Sequence, residues 1–78
     1  MDLKIGDWVE FTAEPYAGFY ITKGKIEEII DIHQRVEYWI REYATKYAYR
    51  RNENEIRKLT DEEIMIILLE GENVGYER

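Results

Sequence analysis

Cysteine and serine are both missing from this 78-residue chain, and proline occurs once, at Pro15. Without cysteine there is neither a disulfide framework nor a thiolate metal site to supplement the core, and a reducing, cytoplasmic setting is expected. With serine gone as well, a covalent mechanism would fall to one of four threonines, a lysine or a carboxylate. No phosphate loop is present: Gly18 and Gly24 stand too far apart and neither leads into a lysine-serine or lysine-threonine pair. The single histidine, His33, has Asp31 two residues before it, a spacing that on a strand shares one face. No third metal ligand can be named, and a solvated polar turn is the simpler reading. Long apolar runs are also lacking. The longest, Ile64 to Leu69, is far too short to span a bilayer. These absences exclude most catalytic classes, so no enzyme, cofactor, metal or membrane partner is expected.

At this length one domain is expected, over residues 1–70 with a flexible tail at 71–78. Folding at this size buries only about 60% of the surface the unfolded chain exposes, so the margin of stability is thin. The formal charge is −6 but it is unevenly spread. Residues 1–34 carry 3 basic and 7 acidic side chains, residues 35–58 carry 7 and 4, and residues 59–78 carry 1 and 6. A basic island thus lies between acidic ends.

The most informative stretch is Val36-Glu37-Tyr38-Trp39-Ile40-Arg41-Glu42-Tyr43, where β-branched and aromatic residues alternate with charged ones. That alternation predicts a half-buried strand, with Val36, Tyr38 and Ile40 turned to a core and Glu37, Trp39, Arg41 and Tyr43 turned out. Val36, Ile40, Tyr43 and Tyr47 also recur at spacings of three and four, so an amphipathic helix over 34–51 stays open as the alternative.

Around it the chain supplies further strands. After a Gly6-Asp7 turn, Val9, Phe11 and Ala13 share one face, while Trp8 is assignable to either core or surface. Residues 14–23 mix Pro15, Gly18 and three aromatics and read as a long loop. From Gly24 a second strand follows, whose apolar phase slips between Ile26 and Ile29, as a bulge would make it do. His33-Gln34-Arg35 is the turn into the central strand, residues 46–51 a fourth strand, Asn52 to Glu55 a tight turn, and Ile56 to Leu59 a last short strand.

Thr60-Asp61-Glu62-Glu63 is a capping box that should open a helix, with Gly71 placed to end it. A final strand over 64–69 remains the alternative, because so short a helix is marginal alone. As a helix, this run is apolar all round. Docking would hide Ile64, Ile67 and Leu68 and leave Met65, Ile66 and Leu69 exposed, with a homodimer through Ile64, Met65, Ile66 and Leu69 or a partner protein expected to cover them. The carboxylates Glu27 and Glu28, or Asp61 to Glu63, have structural explanations: adjacent strand residues face opposite ways, and acids favour a helix start.

Gly6-Asp7-Trp8-Val9, Gly24-Lys25-Ile26 and Ile56-Arg57-Lys58-Leu59 together resemble an SH3-like small barrel over about residues 4–60. The resemblance implies a mainly β fold of about five strands; the short C-terminal helix that completes the expected fold lies outside the barrel pattern and rests on the capping box alone. The resemblance also implies a binding module for peptides, modified tails, RNA or DNA, engaged by aromatics beside the long first loop. Tyr16, Phe19 and Tyr20 are the residues in that loop able to line a groove, or else to plug the open end of the barrel. The chain is also similar in size and character to small uncharacterised proteins of Bacillus-type prophages, which implies a phage accessory role.

Two binding chemistries follow. Trp39, Arg41 and Tyr43, with Tyr47, Tyr49, Arg50 and Arg51 on the neighbouring strand, combine stacking planes with guanidinium groups, as single-strand nucleic-acid binders do. Arg41, Lys46, Arg50, Arg51, Arg57 and Lys58 would form its basic surface. The same aromatics equally serve as core and cross-strand pairs. A non-catalytic module for a protein partner, contacted through Tyr16, Phe19, Tyr20, Trp39 and Tyr43, is therefore the first expectation. Nucleic-acid binding is the second, and an acidic decoy of a DNA-binding protein the third.

Overall fold

The structure is a computed structural model describing residues 2–14 and 18–76, with residues 71–76 as backbone only. Five antiparallel strands, β1 (Trp8–Ala13), β2 (Tyr20–Ile32), β3 (Arg35–Glu42), β4 (Ala48–Asn52) and β5 (Ile56–Lys58), are followed by one helix, α1 (Asp61–Tyr76). They form a single sheet in the order β4-β3-β2-β1-β5. The fold is mainly β and compatible with an SH3-like small sheet: a four-stranded meander whose fifth strand returns beside the first. The two outer strands are not laddered to each other, so the barrel stays open.

Alternation accounts for the core. Val9, Phe11 and Ala13 on β1, Ile26 on β2, and Tyr38 and Ile40 on β3 point to one side and are buried with Leu3 and Ile56. Each fully buried Val, Ile or Phe contributes roughly 1.5–3 kcal/mol of transfer free energy. The central stretch is therefore a strand rather than a helix, and Tyr38 and Ile40 lie inward as expected. Val36 does not: it is 37% exposed, because it pairs with Asp31 near the tip of the β2–β3 hairpin, beyond the reach of the other strands.

The phase slip in β2 is a bulge. Ile26 pairs with Ile40 and Glu28 with Trp39, leaving Glu27 as the extra residue and returning Ile29 opposite Tyr38. Beyond the bulge the hairpin closes through a two-residue turn, His33 (φ 52°) and Gln34 (φ 64°), between the paired Ile32 and Arg35. Gly24 is required for a different reason. It faces Glu42 across the ladder, and a Cβ there would run into the Arg41 carbonyl and meet Ile40 Cγ2 at 2.9 Å.

Several boundaries differ from those predicted. β2 begins at Tyr20, so Tyr20 to Lys23 are ladder partners of Ala13 to Glu10 and not loop. Asn52 to Glu55 closes as a 3-10 turn, Glu53–Glu55, with a reciprocal cap between Asn52 and Glu55. The Thr60 capping box forms as read: Glu63 N–H donates to Thr60 Oγ1 at 3.2 Å and Thr60 N–H to Glu63 Oε1 at 2.8 Å. The helix then runs through Gly71 to Tyr76 instead of ending at Gly71, and residues 64–69 are helical. Ile67 is buried and Ile64 half-buried, whereas Leu68 is 56% exposed together with Met65, Ile66 and Leu69. Leu68 lies between Ile64 and Met65 around the helix and falls on the outer side.

Candidate functional site

Register builds the site. Trp8 pairs with Lys25, and Lys25 with Arg41, so the three form one row across β1, β2 and β3 on the side opposite Val9 and Ile40. Just past β3, Tyr43 is held by its N–H to the Lys23 carbonyl at 2.9 Å and brings its ring against Trp8, centroids 5.6 Å apart and planes at 68°. Such an edge-to-face pair is worth about 0.5–1.5 kcal/mol beyond burial. Trp8 and Tyr43 line a cleft of about 530 Å³ together with Ile5, Lys25, Lys46 and the Arg41–Glu27 pair. Small-molecule and side-chain pockets span roughly this volume.

The cations around the cleft are of two kinds. Arg41 is committed: Nε and Nη2 hold Glu27 in a bidentate pair at 3.0 Å each, and Nη1 donates to the Lys46 carbonyl at 2.9 Å. That contact holds the Glu27 carboxyl below the usual carboxylate range. Lys25 and Lys46 stand over the rings instead, Lys25 Nζ 5.3 Å from the Trp8 centroid and Lys46 Nζ 4.9 Å from that of Tyr43. Among the described residues neither lies within ion-pair distance of a carboxylate. Lys46 also has φ 69°, a conformation fixed by its N–H to the Glu42 carbonyl at 3.0 Å and by Arg41 on its own carbonyl. A lysine held left-handed costs on the order of 1–2 kcal/mol, so the loop is over-determined around it.

Behind the cleft, Glu42 is fully buried, and among the described residues no cation lies within ion-pair distance of it. Its carboxylate accepts from three hydroxyls: Tyr20 at 3.1 Å, Thr22 at 2.7 Å and Thr45 at 2.5 Å. Burial first, and then donation to this carboxylate, push the Tyr20 phenol up to about 12. Glu42 ties β2, β3 and the β3–β4 loop together, and a buried, saturated carboxylate is out of a ligand's reach.

The predicted site residues are dispersed. Tyr16 lies outside the described residues. Phe19 is exposed, while Tyr20, one residue on, is engaged by Glu42. Trp39 is half-buried with the Arg50 guanidinium 5.8 Å over its ring, and Arg50 also reaches Glu37 at 3.5 Å. Tyr47 is exposed on the β3–β4 loop. Arg51 turns inward: its Nε and Nη2 donate to the Thr12 carbonyl at 3.2 and 2.8 Å, and it lies over Phe11 and Tyr49 at 5.9 and 5.4 Å. The β1–β5 ladder stops at Phe11, and Arg51 takes the carbonyl beyond its end, drawing β4 toward β1 in place of a closing ladder. Among the described residues, only Arg41 and Tyr43 of the predicted aromatics and arginines meet in the cleft. Trp8 and Lys25 were missed as contact residues, although both stand out of phase with the core residues beside them; their meeting depends on the register of two strands. Lys46, read as part of the basic island, joins them because of its turn.

The basic island is largely neutralised. Arg41, Arg50, Arg51, Arg57 and Lys58 each have a carboxylate within 4.0 Å, from Glu27, Glu37, Glu14, Glu10 with Glu63, and Asp7 respectively. Among the described residues no group of three metal-ligating side chains converges, and no helix is long and apolar enough to cross a membrane.

Fold and cleft together define a small, open β-module with an aromatic-walled depression on its sheet. No protein-family model matches the chain, and neither a curated protein nor a solved structure matches it.

Proposed function

We propose that the protein is a non-catalytic interaction module whose cleft between Trp8 and Tyr43 takes an acidic segment of a partner protein. The carrying observation is the pair Lys25 and Lys46, two ammonium groups fixed at the rim of an apolar depression without carboxylate partners among the described residues. An apolar side chain fits against the Trp8 and Tyr43 rings, and flanking carboxylates meet the two lysines; a few placed polar groups around an apolar surface give orientation and specificity. The absence of cysteine fits a cytoplasmic setting, and the prophage resemblance fits an accessory protein that works by contact.

Protein is favoured over nucleic acid because single-strand binders need free ring faces and a continuous basic track. Here Lys25, Lys46 and Arg50 already stand over the Trp8, Tyr43 and Trp39 rings, and Arg41, Arg50, Arg51 and Arg57 are matched by carboxylates.

The test is a titration of isotope-labelled protein, followed by amide and indole NMR at low salt, with a short peptide alternating Glu and Leu and in parallel with oligo-thymidine. The peptide should shift the Trp8 indole and the Tyr43 and Lys46 amides, and Lys25→Glu with Lys46→Glu should remove the effect. Shifts centred on Trp39, Tyr47 and Arg50 with the oligonucleotide alone would replace this reading with nucleic-acid binding.

A further inference from the structure

The surface of α1 turned away from the sheet is independent of the cleft and opposite in charge. Ile67 is the one residue of the 64–69 run that the sheet buries, and Ile64 is half covered, leaving Met65, Ile66, Leu68 and Leu69 each 53–61% exposed. On a helix, Met65 is followed three and four residues later by Leu68 and Leu69, so these three make one continuous ridge. Asp61 and Glu62 lie four and three residues before Met65 and head the same ridge. Both are exposed, and neither has a basic partner among the described residues. Glu63, by contrast, turns to the sheet and is clamped by Arg57, Nη1 at 3.1 Å and Nη2 at 2.8 Å. The helix backbone continues to Tyr76, giving a rod of about 24 Å at 1.5 Å per residue.

Four large apolar side chains exposed side by side on one helix exceed the scattered exposure normal for a monomer. Charge decides what covers them. Residues 59–78 hold 6 acidic side chains against 1 basic, so a second copy would set one acidic helix beside another. Like charges facing across an interface oppose pairing. A straight i, i+3, i+4 ridge with an acidic head is complementary to a helix bearing an apolar stripe flanked by lysines or arginines. We propose that the Met65–Leu68–Leu69 ridge of α1 docks a basic amphipathic helix of a partner protein, with Asp61 and Glu62 meeting its cations.

The test uses the full chain and a synthetic amphipathic helix of Leu and Lys, with a Leu and Glu helix as control, followed by calorimetry. The Leu–Lys helix should bind at one per chain and the Leu–Glu helix should not. Leu69→Glu, at an exposed position where the far-UV spectrum should stay intact, should weaken binding about tenfold or more, the loss of roughly 1.4 kcal/mol expected for a central contact. Asp61→Asn with Glu62→Gln should weaken it less and flatten its dependence on salt. Equal binding of both helices, or affinity unchanged by Leu69→Glu and Met65→Glu, would overturn the proposal. Sedimentation as a dimer that Leu69→Glu dissociates would also overturn it, assigning the ridge to a second copy.

Discussion

Replacing Glu42 gives the sharpest quantitative expectation. The residue is 0% exposed, no cation among the described residues neutralises it, and its two oxygens accept from Tyr20, Thr22 and Thr45. Hydrogen bonds to a charged group contribute about 1.5–3 kcal/mol each, and a buried partner left unmatched costs about 1–3 kcal/mol. Glu42→Leu strips three hydroxyls of their acceptor at once. Tyr20 and Thr45 lie at accessible edges where water recovers part of the loss, so the net cost is expected at about 3–5 kcal/mol. Glu42→Gln keeps the shape. Its carbonyl still accepts from Tyr20 and Thr45, and the Thr22 hydroxyl turns to accept from the new amide. Charge assistance is lost, but so is the desolvation cost of a lone buried carboxylate, and the net should be about 1 kcal/mol. For so small a domain the total stability is expected near the low end of about 5–15 kcal/mol, about 5 kcal/mol, which brings the leucine variant close to unfolding at room temperature and leaves the glutamine variant folded. Urea unfolding followed by fluorescence of Trp8 and Trp39 measures both; with a slope near 1 kcal/mol per molar, the two midpoints should differ by about 2 M or more. A leucine variant as stable as the parent would refute the reasoning, showing that the cost of burying the charge outweighs its three bonds.

Four further outcomes follow from particular positions. Gly24→Ala drives a methyl into the Arg41 carbonyl across the β2–β3 ladder and should cost about 1–3 kcal/mol, read by the same urea titration. His33→Asn with Gln34→Gly puts residues suited to positive φ into the two-residue turn and should raise stability by about 1–2 kcal/mol, visible as a higher thermal midpoint. Lys46→Gly relieves the same strain in the β3–β4 loop while removing a rim cation, so it should be more stable to urea yet weaker toward the acidic peptide. Arg57 first, and then the Thr60 amide, hold Glu63 at about 2, below its ordinary 4.5. A depressed carboxylate supports the fold fully above its unfolded value and loses that support as pH falls from 4.5 through about 2. Amide exchange at residues 61–65 should therefore speed up across that interval, and Arg57→Ala, which returns the folded value toward 4.5, should narrow the interval and shrink the change.

Local chemistry made much of the fold legible in the sequence. Val9, Phe11 and Ala13, and Tyr38 with Ile40, are spaced by two because a pleated strand has period two, and that fixed which way they point. The β2 bulge was readable because a one-residue insertion is the way to restore a slipped apolar phase, and the Thr60–Glu63 cap because its two hydrogen bonds close within four residues. The helix-or-strand ambiguity at 34–51 and 64–69 and the start of β2 at Tyr20 were decided by partners distant in sequence. A ladder with β1 outweighs the loop-like composition of Tyr20 to Lys23, and propensity is a weak term beside such pairing. The candidate site lies almost wholly on that side of the division. Sequence spacing put Arg41 and Tyr43 on one outward face, but it could not join them to Trp8 and Lys25, whose separations in the chain are bridged only by strand register. Nor could it show that Arg50, Arg51 and Arg57 are already matched to carboxylates and a carbonyl. Charge in a sequence is a count, whereas charge available to a ligand is what remains after the fold has paired it.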